Sequence, residues 1–177
     1  MFNLFNKKQP LKFQDIVWIH GPAKKSGLLT LLKDKPGAVL IAWFEETREE
    51  FSQFLQARGI DTPVYLYREL HASQASGKPI FLLEHYPLAE KERELFQNFT
   101  GQEILILSAL DEPLFKRFGG DKIVDMMKKL GMDEAESISH NLISSAITNA
   151  QEKIAKKITL EQSARSAGEW LERNFPA

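Results

Sequence analysis

Apolar runs and helical stripes alternate along the first two thirds of the chain. Asp15 to His20, "DIVWIH", is a short run with β-branched residues, closed by Gly21-Pro22, and reads as a buried strand. Residues 23–33 follow as a helix whose Leu28, Leu29, Leu31 and Leu32 form a wide apolar face before "DKPG" breaks the chain. "GAVLIAWF", 37–44, predicts a second buried strand. Residues 45–58 carry acids in the opening turn, Phe51, Phe54 and Leu55 at helical spacing, and Gly59 just past the end. "TPVYLY" from Thr62 is strand-like, "ASQASGKP" a loop, and "IFLLEHY", 80–86, a further buried strand. A helix over about 88–99 presents Leu95, Phe96 and Phe99 on one face, and "QEILILSAL" supplies the fifth strand. Strands alternating with helices of this length predict a parallel sheet covered on both sides.

Beyond Leu110 the strand signal stops. Ile123, Met126, Met127 and Leu130 have helical spacing between Asp121 and Gly131, and at such spacing methionines are expected in the core. Leu142, Ile143, Ala146, Ile147, Ala150 and Ile154 predict the inner stripe of a longer helix. Leu160, Ala164, Ala167 and Leu171 predict a last one over about 160–173. The expected domains are a flexible segment over 1–14, an α/β domain over 15–118 and a helical extension over 119–177.

Composition narrows the function classes. With 23 basic and 24 acidic side chains interspersed along 177 residues, no charge stripe suits a nucleic-acid backbone. Cysteine is absent, which removes disulfides, thiol nucleophiles and Cys-based zinc sites and fits a reducing, cytoplasmic setting. "MFNLFNKKQP" lacks the features of a signal peptide, and no window reads as a membrane span, so membrane contact is expected to be peripheral at most.

"HGPAKKSG", His20 to Gly27, sits where a nucleotide-binding protein keeps its phosphate loop. Counted from Gly21, the second glycine of a P-loop falls on Ser26 and the lysine on Gly27, and Pro22 removes one amide of the cradle. The motif fails.

The segment "SALDEPLFKRFGGDKIVDMMKKLGMDEAESISHNLISSAITNAQEKI" carries a specific resemblance. It is similar to the stretch of the SecA preprotein-translocase ATPase family that leaves the second RecA-like motor domain and enters the helical scaffold. The matching elements are Ser108 to Asp111, Leu114 to Gly119, Met126 to Met132, Ile138 to His140, and Ala146 to Lys153. Upstream, "GAVLIAWFEETREEFSQFLQARGI", "PVYLYRELH" and "IFLLEHY" keep the family's order more loosely, so the resemblance extends over about 15–157. It implies a RecA-like parallel sheet of about five strands flanked by helices, with a C-terminal α-helical extension.

The departures bear on activity. The family's Gly-Arg-Gly-Thr-Asp and Gln-x-x-Gly-Arg-x-Gly-Arg motifs are missing, and Arg93, the lone arginine between His85 and Ser108, stands among Glu90, Glu92 and Glu94. An arginine facing carboxylates is a poor finger for developing phosphate charge. His20, His71, His85 and His140 are isolated, so no metal site is expected. Glu84-His85, at a strand's carboxyl end, is the best acid/base pair on offer; the resemblance gives it a plainer origin in the family's "TErH" turn. His140, before the long helix, suits capping, and Ser26 and Ser108 lack a nucleophile elbow.

No catalytic, cofactor-binding or metal residue is therefore assigned. The resemblance implies a degenerate, non-catalytic binding or adaptor protein linked to translocation, its partner a translocase motor or channel subunit or a second copy. The rivals are half of a composite ATPase, drawing on Arg48, Arg58, Arg68 or Arg93, and a small-molecule binder using the sheet's carboxyl-edge crevice.

Overall fold

A computed structural model of the chain describes residues 13–129 and 131–176. Five strands, β1 (Phe13–Trp18), β2 (Val39–Ala42), β3 (Val64–Leu66), β4 (Ile80–Leu82) and β5 (Ile104–Ala109), form one sheet in the order β1-β5-β4-β2-β3, every neighbouring pair parallel. The α/β class with a flanked five-stranded parallel sheet and C-terminal helices is thus as expected. The segment before Phe13, expected to be flexible, lies outside the described residues, as does Leu130.

Helices α1 (Gly21–Asp34) and α2 (Glu45–Gln56) cover one face, where Leu28, Phe51 and Leu55 pack against Leu40, Phe81 and Leu107. Beyond β3 the short α3 (Ala72–Ala75) replaces the expected loop. Helix α4 (Ala89–Phe96) packs on the other face, with Leu95 and Phe96 beneath Ile80, Leu82 and Ile106. That face is completed by the C-terminal helices. After α5 (Pro113–Arg117) and α6 (Gly120–Lys129), α7 (Asn141–Ala155) and α8 (Ala167–Asn174) lay Ala150, Ile154, Trp170 and Leu171 into the same core. Each side chain of β2, β4 and β5 is buried, which is why these strands read as unbroken apolar runs.

Three expectations about the helices are corrected. The last helix starts at Ala167, because the Ser166 hydroxyl accepts from Glu169 N–H and ends the preceding loop in extended geometry; Leu160 is 82% exposed. In α7 the inner stripe is Ile143, Ile147, Ala150 and Ile154, while Leu142, 74% exposed, and Ala146 face outward. On α6, Ile123, Val124 and Met127 are half-buried, but Met126 is exposed rather than core.

Gly27, the would-be P-loop lysine position, has a packing reason to be glycine. A Cβ there would lie 2.2 Å from the Trp18 ring, so α1 can approach β1 only without a side chain.

Candidate functional site

The chain reverses its direction across the sheet at β2 and β4. β2 leads to α2 on one face and its neighbour β4 leads to α4 on the other, so a crevice opens at their carboxyl ends. A cleft of about 450 Å³ lies there, and Glu84 and His85, just past β4, both line it. The first turns of α1, α2, α5 and α8 also face it through Gly21, Thr47, Pro113 and Gly168. Helix N-termini bring partial positive charge, and the chain meets it with its own carboxylates. Asp111 Oδ2 accepts from Gly21 N–H at 3.2 Å. Glu84 Oε1 accepts from Trp43 and Phe44 N–H, both at 3.1 Å, and Oε2 from the Thr47 hydroxyl at 2.6 Å.

The cleft's cations are equally committed. Lys24, 3% exposed although charged, donates to the Leu83 carbonyl and to Glu112, and its ammonium stands 5.2 Å from the Phe51 ring centroid. Lys25 pairs with Glu50 at 2.6 Å. Burial pushes the Glu84 carboxyl up to about 7 against the Thr47 bond and the Lys24 charge, and the charge of Glu112 adds to the rise. Burial likewise raises Glu112, Lys24 opposing it.

His85 turns away from Glu84 toward the opposite face of the sheet. Its Nδ1 is 2.9 Å from Glu92 Oε1 on α4, and its Nε2 3.1 Å from Asp15 Oδ1 on β1, all three side chains buried. Burial would lower the imidazole, yet the carboxylates of Glu92 and Asp15 outweigh it and hold the group up at about 10. Asp15 is held below the usual carboxylate range, burial being outweighed by His85 and the Ser144 hydroxyl. Glu92 also accepts from Tyr86 N–H at 2.8 Å and from Gln151 Nε2 at 2.9 Å, and Gln151 donates in addition to the Tyr86 carbonyl. The His85 ring is thus engaged by Glu92 and Asp15, while the Glu84 carboxyl is engaged by Trp43, Phe44 and Thr47.

The remaining sequence candidates are elsewhere. His20 and His140 cap α1 and α7, their Nδ1 atoms accepting from Ala23 and Leu142 N–H. His71 precedes α3, where its N–H donates to Gln74. Ser26 bonds back to the Pro22 carbonyl, and Ser108 is fully buried in β5. Arg93 is exposed and outside the cleft lining, and its expected neighbour Glu92 points inward to His85. Arg48 and Arg68 pair with Glu69 and Glu45, and Arg58 lies over the Phe54 ring. Among the described residues, no cluster of three His, Asp or Glu side chains has an arrangement that could hold a metal, and no helix is long and apolar enough to cross a membrane.

Sequence reasoning missed Lys24, Asp15, Glu92 and Gln151. The signal for three of them was position: Lys24 is four residues before Leu28, Glu92 shares the stripe of Leu95, Phe96 and Phe99, and Gln151 that of Ile147 and Ile154.

What this geometry defines is an open parallel α/β domain with a carboxyl-edge cleft whose two lysines are each paired with a glutamate. No protein-family profile matches the chain. Over about a third of its length it is similar to protein translocase subunit SecA: 54% identical over 58 residues to that of Desulforapulum autotrophicum, 43% over 49 residues to that of Acidithiobacillus ferrooxidans, and 39% over 61 residues to that of a Psychrobacter species. These matches cover 33%, 28% and 34% of this chain but only 7%, 5% and 6% of the relatives, so it aligns with a small part of each.

Proposed function

We propose that the chain is a SecA-related, non-catalytic binding or adaptor module linked to protein translocation, with a RecA-like α/β domain over 15–118 and a helical extension over 119–177. The observation that carries the non-catalytic part is the cleft. Its lysines are paired and the turn leading into α2 already holds Glu84, so a polyphosphate would meet anionic side chains there. The partial similarity to SecA supports the link to translocation, with a translocase motor or channel subunit as partner and a second copy as the alternative.

The apolar stripes of α7 and α8 are spent on the chain's own sheet. A partner would therefore meet the outer surfaces of the extension, where Met126 and Leu142 are exposed. Affinity capture of the tagged protein from its native cytoplasm, with and without ATP, tests the reading together with an ATP titration of the purified chain. Recovery of a translocase component and no saturable ATP binding are expected. Stoichiometric ATP binding overturns the non-catalytic part, and recovery of the chain alone overturns the translocation part.

The cleft itself favours a second reading, a small-molecule binder. Native mass spectrometry of the freshly purified protein decides it, since a stoichiometric adduct displaces the adaptor reading. A composite ATPase has less support, because none of Arg48, Arg58, Arg68 or Arg93 lines the cleft.

A further inference from the structure

Three helices of the extension end close together. α5 stops at Phe118 and α8 at Phe175, and these two rings pack with their centroids 5.8 Å apart; α7 stops at Lys156. Three cations stand around the ring pair. Arg117 is 5.6 Å and the Lys157 ammonium 4.9 Å from the Phe175 centroid, and the Lys153 ammonium is 6.0 Å from that of Phe118. All three residues are exposed.

Among the described residues, none of the three has a carboxylate within 4.0 Å, and Glu152 on α7 and Glu172 on α8 pair with none of them. Cations on the same helices or the next are treated differently: Lys128 on α6 pairs with Glu134 at 3.3 Å and Arg173 on α8 with Glu169 at 2.5 Å. Arg117 spends one donor on the Phe175 carbonyl. Two internal reasons for the cations exist, and neither uses up their charge. A cation over an exposed ring gains about 0.5–1 kcal/mol, and a helix carboxyl end carries roughly half a negative charge, felt within its last turn. Against three full positive charges these leave an excess.

We propose that this patch docks an acidic segment of a protein partner, whose carboxylates pair with Arg117, Lys153 and Lys157. Charge complementarity selects the partner, and the Arg117 guanidinium adds a planar fork suited to a carboxylate. The apolar part of the patch favours a polypeptide over a bilayer. Phe175 is 9% exposed and Phe118 half-buried, both packed into the core, so neither ring projects to enter a lipid surface. Three cations on a chain of net charge −1 are too few for the stripe that a nucleic-acid backbone requires. The proposal rests on the adaptor reading for the existence of a partner, and adds to it where that partner sits and what it carries.

Titration of the full chain against a fluorescein-labelled oligoglutamate peptide at low salt, read by anisotropy, tests the proposal. Saturable binding that weakens as salt is added is expected. Lys153→Glu with Lys157→Glu should lower the affinity about tenfold. Lys33→Glu with Lys78→Glu makes the same change of charge on α1 and before β4, and should lower it less than about twofold. Lys153→Arg with Lys157→Arg should bind as the wild type does. If the Lys153 and Lys157 glutamate pair fails to fold, Lys153→Gln with Lys157→Gln reads the same loss at about threefold. Absence of saturable binding to the wild-type chain overturns the proposal, as do equal losses in the two glutamate pairs, which make net charge the cause. Tighter binding to phosphatidylglycerol vesicles than to the peptide, lost in the same Lys153 and Lys157 variant, overturns it in favour of a lipid surface. Each of these failures leaves the adaptor reading standing, because affinity capture tests that reading separately.

Discussion

Glu84 and His85 are adjacent in the chain and belong to two different buried charge clusters. At the cleft, Glu84 is held by two backbone N–H groups and the Thr47 hydroxyl, with Lys24 and Glu112 nearby. On the other face, His85 is enclosed by carboxylates from β1 and α4, and α7 supplies the outer partners. The cleft corner needs an acceptor, whereas the sealed corner needs a charge. A strand end can thus tie down the turn before a helix on one side of a sheet and join an ion cluster on the other through consecutive residues.

Paired glutamine substitutions break or sharpen this contrast. Glu92→Gln removes a charge that balances a buried imidazolium and should cost about 3–5 kcal/mol in urea denaturation, the loss seen when one partner of a buried ion pair is deleted. Glu84→Gln keeps an acceptor for the two amides and should change stability by about 1 kcal/mol or less. Equal losses at the two positions would abolish the distinction.

Next in size is Gln151→Ala, which strips donors from Glu92 and the Tyr86 carbonyl; about 1–3 kcal/mol of destabilisation is expected by the same measurement. The exposed ion pairs set the lower end of the scale. Arg165→Ala, which removes the arginine on Glu49 and one of the two on Glu45, should cost less than about 1 kcal/mol, an effect that fades further at high salt.

The two corners also predict a pH dependence. The folded-state value of His85 is raised to about 10 from 6.5, so its contribution is fully present below pH 6.5 and is lost as pH rises toward 10. Glu84, raised to about 7 from 4.5, adds a loss of stability between those values as the pH rises. Denaturation midpoints measured from pH 6 to 9 should therefore fall in the wild-type chain. In His85→Gln they should be nearly flat above pH 7, and an unchanged slope there would remove His85 as the cause.

The order of elements was legible because the central strands are buried on both faces, leaving apolar runs that no exposed segment imitates. Helix ends were less so. Leu160 has the spacing of a helical stripe, but the Ser166 cap, a single side-chain contact, starts α8 later. The candidate site was legible only by position. Glu92 and Gln151 occupy apolar stripes, a sign of burial readable from one sequence, but their pairing is not: His85 lies 70 residues from Asp15 and 66 from Gln151, as the numbering gives. Only the sheet order brings them together. The resemblance over 108–153 reached α5, α6 and most of α7, but neither α8 nor the clusters beneath the helices.

The sheet's β1 edge carries one last consequence. β1 is an outer strand six residues long, and the loop before α7 meets it through a single antiparallel bridge, Val17 with Ile138, its two hydrogen bonds 2.9 and 2.7 Å long. Gln14, three residues earlier, donates to the Ser139 hydroxyl. Among the described residues, that loop covers part of the β1 edge. Loss of the Val17–Ile138 bridge would bare backbone hydrogen-bonding groups of β1 to pairing with the edge of another chain.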